Sequence, residues 1–458
     1  MLLESVHSQK VHYRPGERAM FTATLKNGES AHSWLILVWQ VVRDVERVEA
    51  EGEVAATVPP GGETNVAWQV KLGREEYGAE IRAWLKDRPH SVRRDFFGVS
   101  ANVGKVGILG GSRFANYTDE FAWAPDDFGN LSPDRDEWWS GQGGGRRNKV
   151  ALRKKFADGH ARGVKALTYG KGVAGGLDGM QLLLRHPDWA VFNRFGQLGG
   201  LDMSFDVWAL AHWDDPGRRW YFWNCWTPNF MSQAAVEYGA EAIVKGARTF
   251  DFDGVRFDAQ FDIFGGFDVS GQPLPQGPAR DHINARNVRL MKKRILRGFP
   301  DFTFGYNYGT PMPAPSALDR AVCAGGGLVM DEGIRNASDP QHPLQDWRRY
   351  ARHVLEESAA MRRLGGVPLI FGSNLQGAAA DYAIGFCLAA GGTPYAWDFA
   401  RGVRGYDAFA VRYSGLLWNP AYGSVADPDA VISVAADGGR EVWWRDWVRC
   451  GQAPDGTP

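Results

Sequence analysis

The stretch Phe250-Asp251-Phe252-Asp253-Gly254-Val255-Arg256-Phe257-Asp258 limits the fold of this chain more than any other. Before it, Val236, Ala240, Ile243, Ala247 and Phe250 recur at helical spacing, which predicts an amphipathic helix over 233–249. Asp253-Gly254 is a tight-turn pair. After it, Val255 and Phe257 alternate with Arg256 and Asp258, as strand residues alternate between two faces. Helix, turn and strand in this order make the αβ step of a parallel sheet or barrel. On such folds the working groups stand at the carboxyl ends of the strands. Asp258 occupies that end, whereas Asp253 starts the strand and reads as a turn residue. The plainer alternative for Asp258 is a helix cap or an ion partner of Arg256.

Around this step the pattern repeats. Strands are expected at 114–123, 164–169, 221–224, 255–258, 302–308, 328–332, 367–371 and 394–397. Helices are expected at 148–162, 233–249, 281–297, near 317–324, and at 346–364, 378–390 and 406–417, with Gly163 as a helix C-cap and Asp281 as an N-cap. Eight β/α steps over roughly 315 residues fit a (β/α)8 TIM barrel with enlarged loops. A doubly wound open sheet is the alternative. It is disfavoured because no glycine-rich phosphate fingerprint follows the first strand, and the glycine-rich run at 141–145 lacks a Walker Lys-Ser/Thr.

The flanks are different. Residues 1–102 read as an immunoglobulin-like β-sandwich: Phe21, Ala23 and Leu25, then Val66, Trp68, Val70 and Leu72, then Ile81, Ala83 and Leu85 alternate with polar residues between Pro/Gly turns. The barrel is expected over 103–422. Residues 423–458 are expected to hold two short strands, 430–434 and 441–444, as a small C-terminal β element, shrunken or truncated.

Composition removes several function classes. The chain has 52 basic and 53 acidic residues, a net charge of −1, so no basic surplus points to nucleic acid and no charge run to a membrane surface. Its four cysteines, Cys225, Cys323, Cys387 and Cys450, form no CxxC or Cys/His cluster, and its ten histidines include no HExxH, so no metal or cofactor is expected. No Gly-x-Ser-x-Gly elbow supports a serine hydrolase. The N-terminus has no signal-peptide pattern, so a cytoplasmic location is expected unless the chain is a trimmed form of a secreted protein. The 19 tryptophans, several beside acidic residues and glycines, fit a sugar-binding cleft, although packing explains most of them.

Polar residues gather at the expected strand ends: Tyr169 and Lys171, Asn224 and Trp226, Arg256 and Asp258, Asn307 and Tyr308, Asp331 and Glu332. On one barrel face they would line a pocket. Glycoside hydrolysis needs one ionised carboxylate at the anomeric carbon and one protonated carboxyl at the leaving oxygen. Asp258 is the candidate nucleophile, with Arg256 holding it ionised. Glu332 is the candidate acid/base, with the apolar run Leu328-Val329-Met330 leading to it and Asp331 as its rival. Tyr169, Lys171, Asn224, Trp226, Arg256, Asn307, Tyr308 and Asp331 are candidates for substrate binding. The weaker acidic clusters are Asp126-Asp127, Asp134 to Glu137, Asp214-Asp215 and Asp262.

The stretches Phe252-Asp253-Gly254-Val255-Arg256-Phe257-Asp258 and Met330-Asp331-Glu332, with the order of domains, resemble glycoside hydrolase family 66. That family comprises dextranases and cycloisomaltooligosaccharide glucanotransferases. The resemblance implies an Ig-like domain before a (β/α)8 barrel, a β domain after it, and retention through an Asp nucleophile on strand four and a Glu acid/base on strand six. Those roles fall on Asp258 and Glu332. The C-terminal domain is shorter than the family's and the signal peptide is missing. Arg-x-Asp also resembles the α-amylase clan, whose acid/base lies on strand five, but 304–308 ends without a carboxylate. The expected function is retaining hydrolysis of an α-linked, dextran-like glucan or oligosaccharide. Transglycosylation by the same mechanism and a catalytically silent carbohydrate-binding barrel are the alternatives, with a metal-dependent barrel hydrolase as a further class.

Overall fold

The computed structural model describes residues 1–43, 47–101, 117–120, 136–139, 146–163, 165–170, 174–199, 225–226, 228–258, 265–307, 316–331, 367–371, 393–395, 422–424, 433–437, 440–444 and 447–449. The chain divides into two compact units: Met1–Asn116 with Ala161–Val164 and Glu332–Pro458, and Tyr117–His160 with Lys165–Asp331.

In the first unit, eight strands form two sheets. They are β1 (Leu2–Ser8), β2 (His12–Tyr13), β3 (Arg18–Lys26), β4 (Ser33–Arg43), β5 (Arg47–Val58), β6 (Glu63–Lys71), β7 (Tyr77–Leu85) and β8 (Arg88–Val99). One sheet has the order β1-β3-β6 and the other β2-β8-β7-β4-β5. The alternating residues read from the sequence face inward. Phe21, Ala23 and Leu25 of β3 and Val66, Trp68 and Val70 of β6 share one core with Leu35, Leu37 and Val41 of β4 and Ile81, Ala83 and Leu85 of β7. Each large side chain so buried contributes about 1.5–3 kcal/mol. The 34–42 run lies inside the sheet, between β5 and β7, as its continuous apolarity suggests. Trp39 of β4 stacks on Trp68 with ring centroids 6.0 Å apart. Its cross-strand partner is Gly52 of β5, where an added Cβ would lie 2.6 Å from the indole, so only glycine leaves room for it.

In the second unit, β9 (Tyr117–Glu120), β10 (Lys165–Gly170), β11 (Gly254–Asp258), β12 (Thr303–Asn307) and β13 (Leu328–Asp331) lie side by side in that order, all parallel. Parallel neighbours need crossovers. Here these contain α1 (Lys149–Ala161) before β10, α2 (Gly176–Arg185) and α3 (Gln233–Phe250) before β11, α4 (Gly277–Ile295) before β12 and α5 (Ala317–Cys323) before β13. The result is a mixed α/β half-barrel. Strand β14 (Val367–Phe371) pairs in parallel with β15 (Thr393–Tyr395). A closed eight-stranded barrel is not formed by the described residues.

Two expectations need correction. The expected strand at 221–224 lies outside the described residues, but β10 pairs directly with β11, Tyr169 opposite Arg256, leaving no place for a strand between them. The strand bearing Asp258 is therefore third in the described order, not fourth. Asp281 is not an N-cap of its own helix, because α4 begins at Gly277, with Pro278 in its first turn. Asp281 instead accepts the Ala317 and Leu318 N–H groups at 2.8 and 3.1 Å, at the start of α5, where Ser316 and Asp319 form a capping box. The helices expected at 346–364, 378–390 and 406–417 lie outside the described residues. The C-terminal segment holds two antiparallel ladders: Ser433–Asp437 with Arg440–Trp444, and Tyr422–Ser424 with Trp447–Arg449.

The α3–β11 step forms as its sequence dictates. Val236, Ala240, Ile243, Ala247 and Phe250 are buried along one face of α3. The helix stops at Asp251, which adopts φ 61° and donates its N–H to the Ala247 carbonyl at 2.8 Å, a left-handed cap. Phe252 packs against Phe302 at 5.9 Å. Asp253 is then held at the amino end of β11. Its carboxylate meets His160 Nε2 at 2.7 Å, accepts the Ala166 N–H at 2.9 Å and pairs with Lys165 Nζ at 3.2 Å. At Gly254 an added Cβ would meet Leu167 Cδ2 at 2.3 Å and the Thr303 carbonyl oxygen at 2.5 Å. Val255 and Phe257 are buried.

Lys292 of α4 is buried and donates to the carbonyls of Ala321, Val322 and Ala324 at 3.1, 2.9 and 2.8 Å, with its ammonium 5.2 Å from the Phe304 ring centroid. Burial pulls its pKa down to about 8.

Three outcomes follow from these contacts. Gly254→Ala should lower stability by roughly 1–3 kcal/mol or more, seen as a fall in the thermal midpoint, since the three nearest atoms all belong to the two neighbouring strands. Lys292→Met, which keeps the stem and leaves three carbonyls at the end of α5 without their donor, should cost roughly 1–3 kcal/mol by the same measurement. The third concerns pH. The hydrogen bond to Asp253 raises the His160 pKa above its ordinary 6.5, against the opposing effect of burial. Burial pushes Asp253 up, but the His160 hydrogen bond, Lys165 and the Ala166 N–H together leave it below its ordinary 3.8. A raised histidine stabilises fully below its unfolded pKa and loses that contribution as pH rises through its folded value; a depressed carboxylate loses its contribution as pH falls through its own. The pair therefore stabilises most between its two ordinary values. Thermal midpoints measured from pH 5 to 9 should show a decline above pH ~6.5 that His160→Gln reduces.

Candidate functional site

The carboxyl edge of the half-barrel carries five of the residues singled out from the sequence: Tyr169, Arg256, Asp258, Asn307 and Asp331. Along β11 and β12 the register partners are Arg256 with Gly305, Phe257 with Tyr306 and Asp258 with Asn307. Asn307 in turn is the partner of Met330 on β13, with Asp331 one residue beyond. On the other side Tyr169 of β10 is the partner of Arg256. Asp258, Asn307 and Met330 thus form one row across three strands, and Tyr169 and Arg256 lie in a row two residues behind it. With strands about 4.8 Å apart, the backbone at Asp258 and that at Met330 are about 10 Å apart.

Local sequence explains why these residues reach the edge. β11 and β12 each run five residues and end together, at Asp258 and Asn307. Their inward packing is carried by residues short of that edge: Val255, Phe257, Phe304 and Tyr306 are buried. Phe302 and Phe304 pack with tilted rings, centroids 5.2 Å apart, at the amino end. The strand ends are left for polar residues, as parallel sheets do at their carboxyl side.

Trp226 is placed otherwise than expected. It is not at the end of a sheet strand: Cys225–Trp226 pairs antiparallel with Ala174–Gly175, beyond the carboxyl end of β10. Lys171, Asn224, Tyr308 and Glu332 lie outside the described residues, as do Asp126-Asp127, Asp134, Asp214-Asp215 and Asp262. Asp136 and Glu137 are exposed, Glu137 opening a short ladder with Arg146–Asn148. Asp253 sits before the opposite, amino end of β11, tied to His160 and Lys165, so the two aspartates stand at opposite ends of this strand. Among the described residues no three His, Cys, Asp or Glu side chains converge as metal ligands.

Two connections leaving this edge were not singled out from the sequence. Phe192, between α2 and α3, exchanges backbone hydrogen bonds of 2.8 and 2.9 Å with Phe267, between β11 and α4. The first connection turns at Asn193–Gly196, where the Asn193 side chain accepts the N–H groups of Phe195 and Gln197 at 2.9 and 3.0 Å. The second turns at Asp268–Gly271, where Asp268 accepts those of Ser270 and Gln272, each at 2.9 Å. The bonds to Ser270 and Gln272 hold the exposed Asp268 carboxyl below its usual pKa. Val191 and Leu274 share a small core with Met231 and Ile283, which fastens both connections to the helices. The signal was present in the sequence: Asn193-Arg194-Phe195-Gly196 and Asp268-Val269-Ser270-Gly271 are both Asx-and-glycine turns between apolar residues.

No family model matches the sequence, and no curated protein matches it. Among solved structures, the fold is similar to that of a cycloisomaltooligosaccharide glucanotransferase from Paenibacillus sp., solved in complex with cycloisomaltoheptaose, with a TM-score of 0.58 and 12% identity. The match covers 82% of this chain and 54% of that one, so this chain spans little more than half the length of that neighbour. A maltogenic α-amylase from Thermotoga neapolitana aligns with 49% of this chain and 41% of its own, at 15% identity and a TM-score of 0.30, too low to bear on the fold. At this identity the likeness to the glucanotransferase is one of fold.

Proposed function

We propose that the chain is a carbohydrate-active enzyme, a retaining glycosidase acting on an α-linked glucan. The observation that carries this reading is the row Asp258–Asn307–Met330 at the carboxyl edge of neighbouring parallel strands, with Asp331 and Glu332 following. The fold likeness to an enzyme solved with a cyclic isomaltooligosaccharide supports it. Asp258 attacks the anomeric carbon and forms the glycosyl-enzyme. A carboxyl at the end of β13, Glu332 with Asp331 as its rival, protonates the leaving oxygen and then removes a proton from water. Backbones about 10 Å apart let two carboxyl side chains converge across a sugar ring. Asn307, beside Asp258, is suited to hydrogen-bond the hydroxyl next to the reacting carbon, while Tyr169 and Arg256 bind behind it. Lys171, Asn224, Trp226 and Tyr308 complete the substrate-binding set. The domains assigned are 1–102 as an Ig-like accessory module, 103–422 as a catalytic barrel and 423–458 as a C-terminal β element.

A second reading keeps the mechanism and changes the acceptor: a sugar hydroxyl replaces water, giving transglycosylation. The glucanotransferase likeness favours it. Product analysis on dextran, starch, pullulan and aryl α-glycosides distinguishes the two, since transfer gives longer or cyclic products without a matching rise in reducing ends.

Asp258→Ala and Glu332→Gln should each lower turnover at least about a thousandfold on whichever substrate the wild type cleaves. Near-normal hydrolysis by the Asp258 variant would remove the assignment. If Asp331→Asn is the more damaging change on β13, the acid/base role moves to Asp331.

A further inference from the structure

The β-sandwich has an outer face that its core does not use. On β4, Leu35, Leu37 and Val41 enter the core, so Trp34, Ile36, Val38 and Gln40 stand on the other side of the sheet. On β7, Ile81, Ala83 and Leu85 enter the core, which puts Trp84 on that outer side, directly across from Val38. Trp34 is 68% exposed, the largest side chain left so open among the described residues. Trp84, Ile36 and Val38 are half-buried. The face thus bears a strip with an indole at each end and two aliphatic side chains between. Four residues along β4 and one strand across separate the indoles by about 14 Å.

The polar groups on this strip are matched in charge. Lys86 Nζ lies 2.8 Å from Glu53 Oε1. Lys86 follows β7, its N–H bonded to the Ile36 carbonyl, and Glu53 is on β5 opposite Val38, so this pair crosses the strip between the indoles. Gln40 donates to Glu51 at 2.9 Å at the far end, and Thr57 is the partner of Trp34. On β7, Arg82 is the partner of Gln40 and is paired with Glu80, which Arg94 of β8 also faces, so Lys86, Arg82 and Arg94 balance Glu53, Glu51 and Glu80 and a charged polymer finds no surplus of either sign here. The edge strand β5 carries Arg47, Glu49, Glu51 and Glu53, the charged pattern that blocks addition of another strand. What remains is a surface of flat aromatic faces with hydrogen-bonding groups of both kinds. That is the chemistry of a neutral polyhydroxylated chain, whose pyranose rings offer apolar faces to indoles and hydroxyls to amides and paired charges.

We propose that the outer face of β4, β5 and β7 is a non-catalytic binding surface for an α-glucan chain, with Trp34 and Trp84 as stacking platforms for separate sugar rings, the Lys86–Glu53 pair bonded to hydroxyls between them and Gln40 to hydroxyls beyond Trp84. The choice of an α-glucan rests on the function proposed above. The spacing of the indoles requires several linked rings, so the surface holds oligomers and polymers and does not hold free glucose.

The test is affinity electrophoresis of the full chain in native gels containing dextran, soluble starch or pullulan, in the wild type and in Trp34→Ala, Trp34→Tyr and Trp34→Ala/Trp84→Ala. Loss of one aromatic stack should weaken binding roughly three- to tenfold. Trp34→Ala should therefore lose most of its retardation, the double variant more, and Trp34→Tyr should retain it. Glucose added to the gel should not compete. Trp34 is exposed, so its variants should melt as the wild type does, which separates lost binding from lost folding. Retardation of Trp34→Ala equal to the wild type overturns the proposal. So does a change in oligomeric state on size-exclusion chromatography caused by that variant, which would make the face a contact between copies. Retardation that depends on Trp34, in a chain that cleaves none of the substrates, sinks the glycosidase reading and leaves this surface standing.

Discussion

The carboxylate of Asp253 is the contact on which the candidate site depends. Its side chain joins His160 at the end of α1, Lys165 at the start of β10 and the Ala166 N–H. Its own N–H bonds the Ala166 carbonyl and its carbonyl accepts from Thr303 of the next strand. One residue therefore ties a helix and two strands to the beginning of β11. Strand side chains alternate with a period of two, so a slip of one residue exchanges the faces of the whole strand. Fixing the strand at its amino end sets which residues reach its carboxyl end. With Gly254 pressed between Leu167 and Thr303, the next position has no freedom to shift either.

A second arrangement serves β13. Helix α5, which leads into that strand, is held at both ends by the helix before it. Asp281 accepts N–H groups at its start, and Lys292 donates to carbonyls at its finish. Each charge faces the end of the helix dipole that it complements. A helix of seven residues has little stability of its own, and this pair of contacts supplies what length does not. The placement of Asp331 beyond Met330 follows from it. Both candidate carboxylate positions are thus governed by polar contacts, partly or wholly buried, at the far ends of their elements.

Much of this is legible in the chain. The α3–β11 step can be read within a residue or so because helical and strand periodicity and a helix stop agree there, although Gly254, expected in a tight turn with Asp253, is instead the first residue of the strand and the turn is made by the left-handed cap at Asp251. The sandwich follows from the alternation of Phe21, Ala23 and Leu25 and of Val66, Trp68 and Val70. The placement of Asp253 and Asp258 at opposite ends of the strand also follows from strand polarity. The count of strands does not. An aromatic run such as Tyr221-Phe222-Trp223 has strand propensity, but whether it joins a sheet depends on which backbone lies beside it, and β10 already has β9 and β11 as its neighbours. Capping is a local rule, and it assigns Asp281 to its own helix. The Asp281 carboxylate instead caps a helix that begins 36 residues later for Ala317 N–H, a partner no local rule can find.

The outer face of the sandwich shows the same limit from the other side. Trp34 and Trp84 are far apart in sequence, and the alternation of each strand says only that each faces away from the core. The antiparallel pairing of β4 with β7 puts Trp84 beside Val38, in line with Trp34. The sequence by itself determined the elements, the faces they bury and the ends where polar residues collect, because these depend on neighbours within a turn or two of chain. Only the tertiary structure decided which elements are adjacent, that Asp258 shares a row with Asn307 and Met330, and which partners hold Asp253, Asp281 and Lys292. Those are pairings between residues distant in the chain, settled by the register of strands and the packing of helices rather than by local preference.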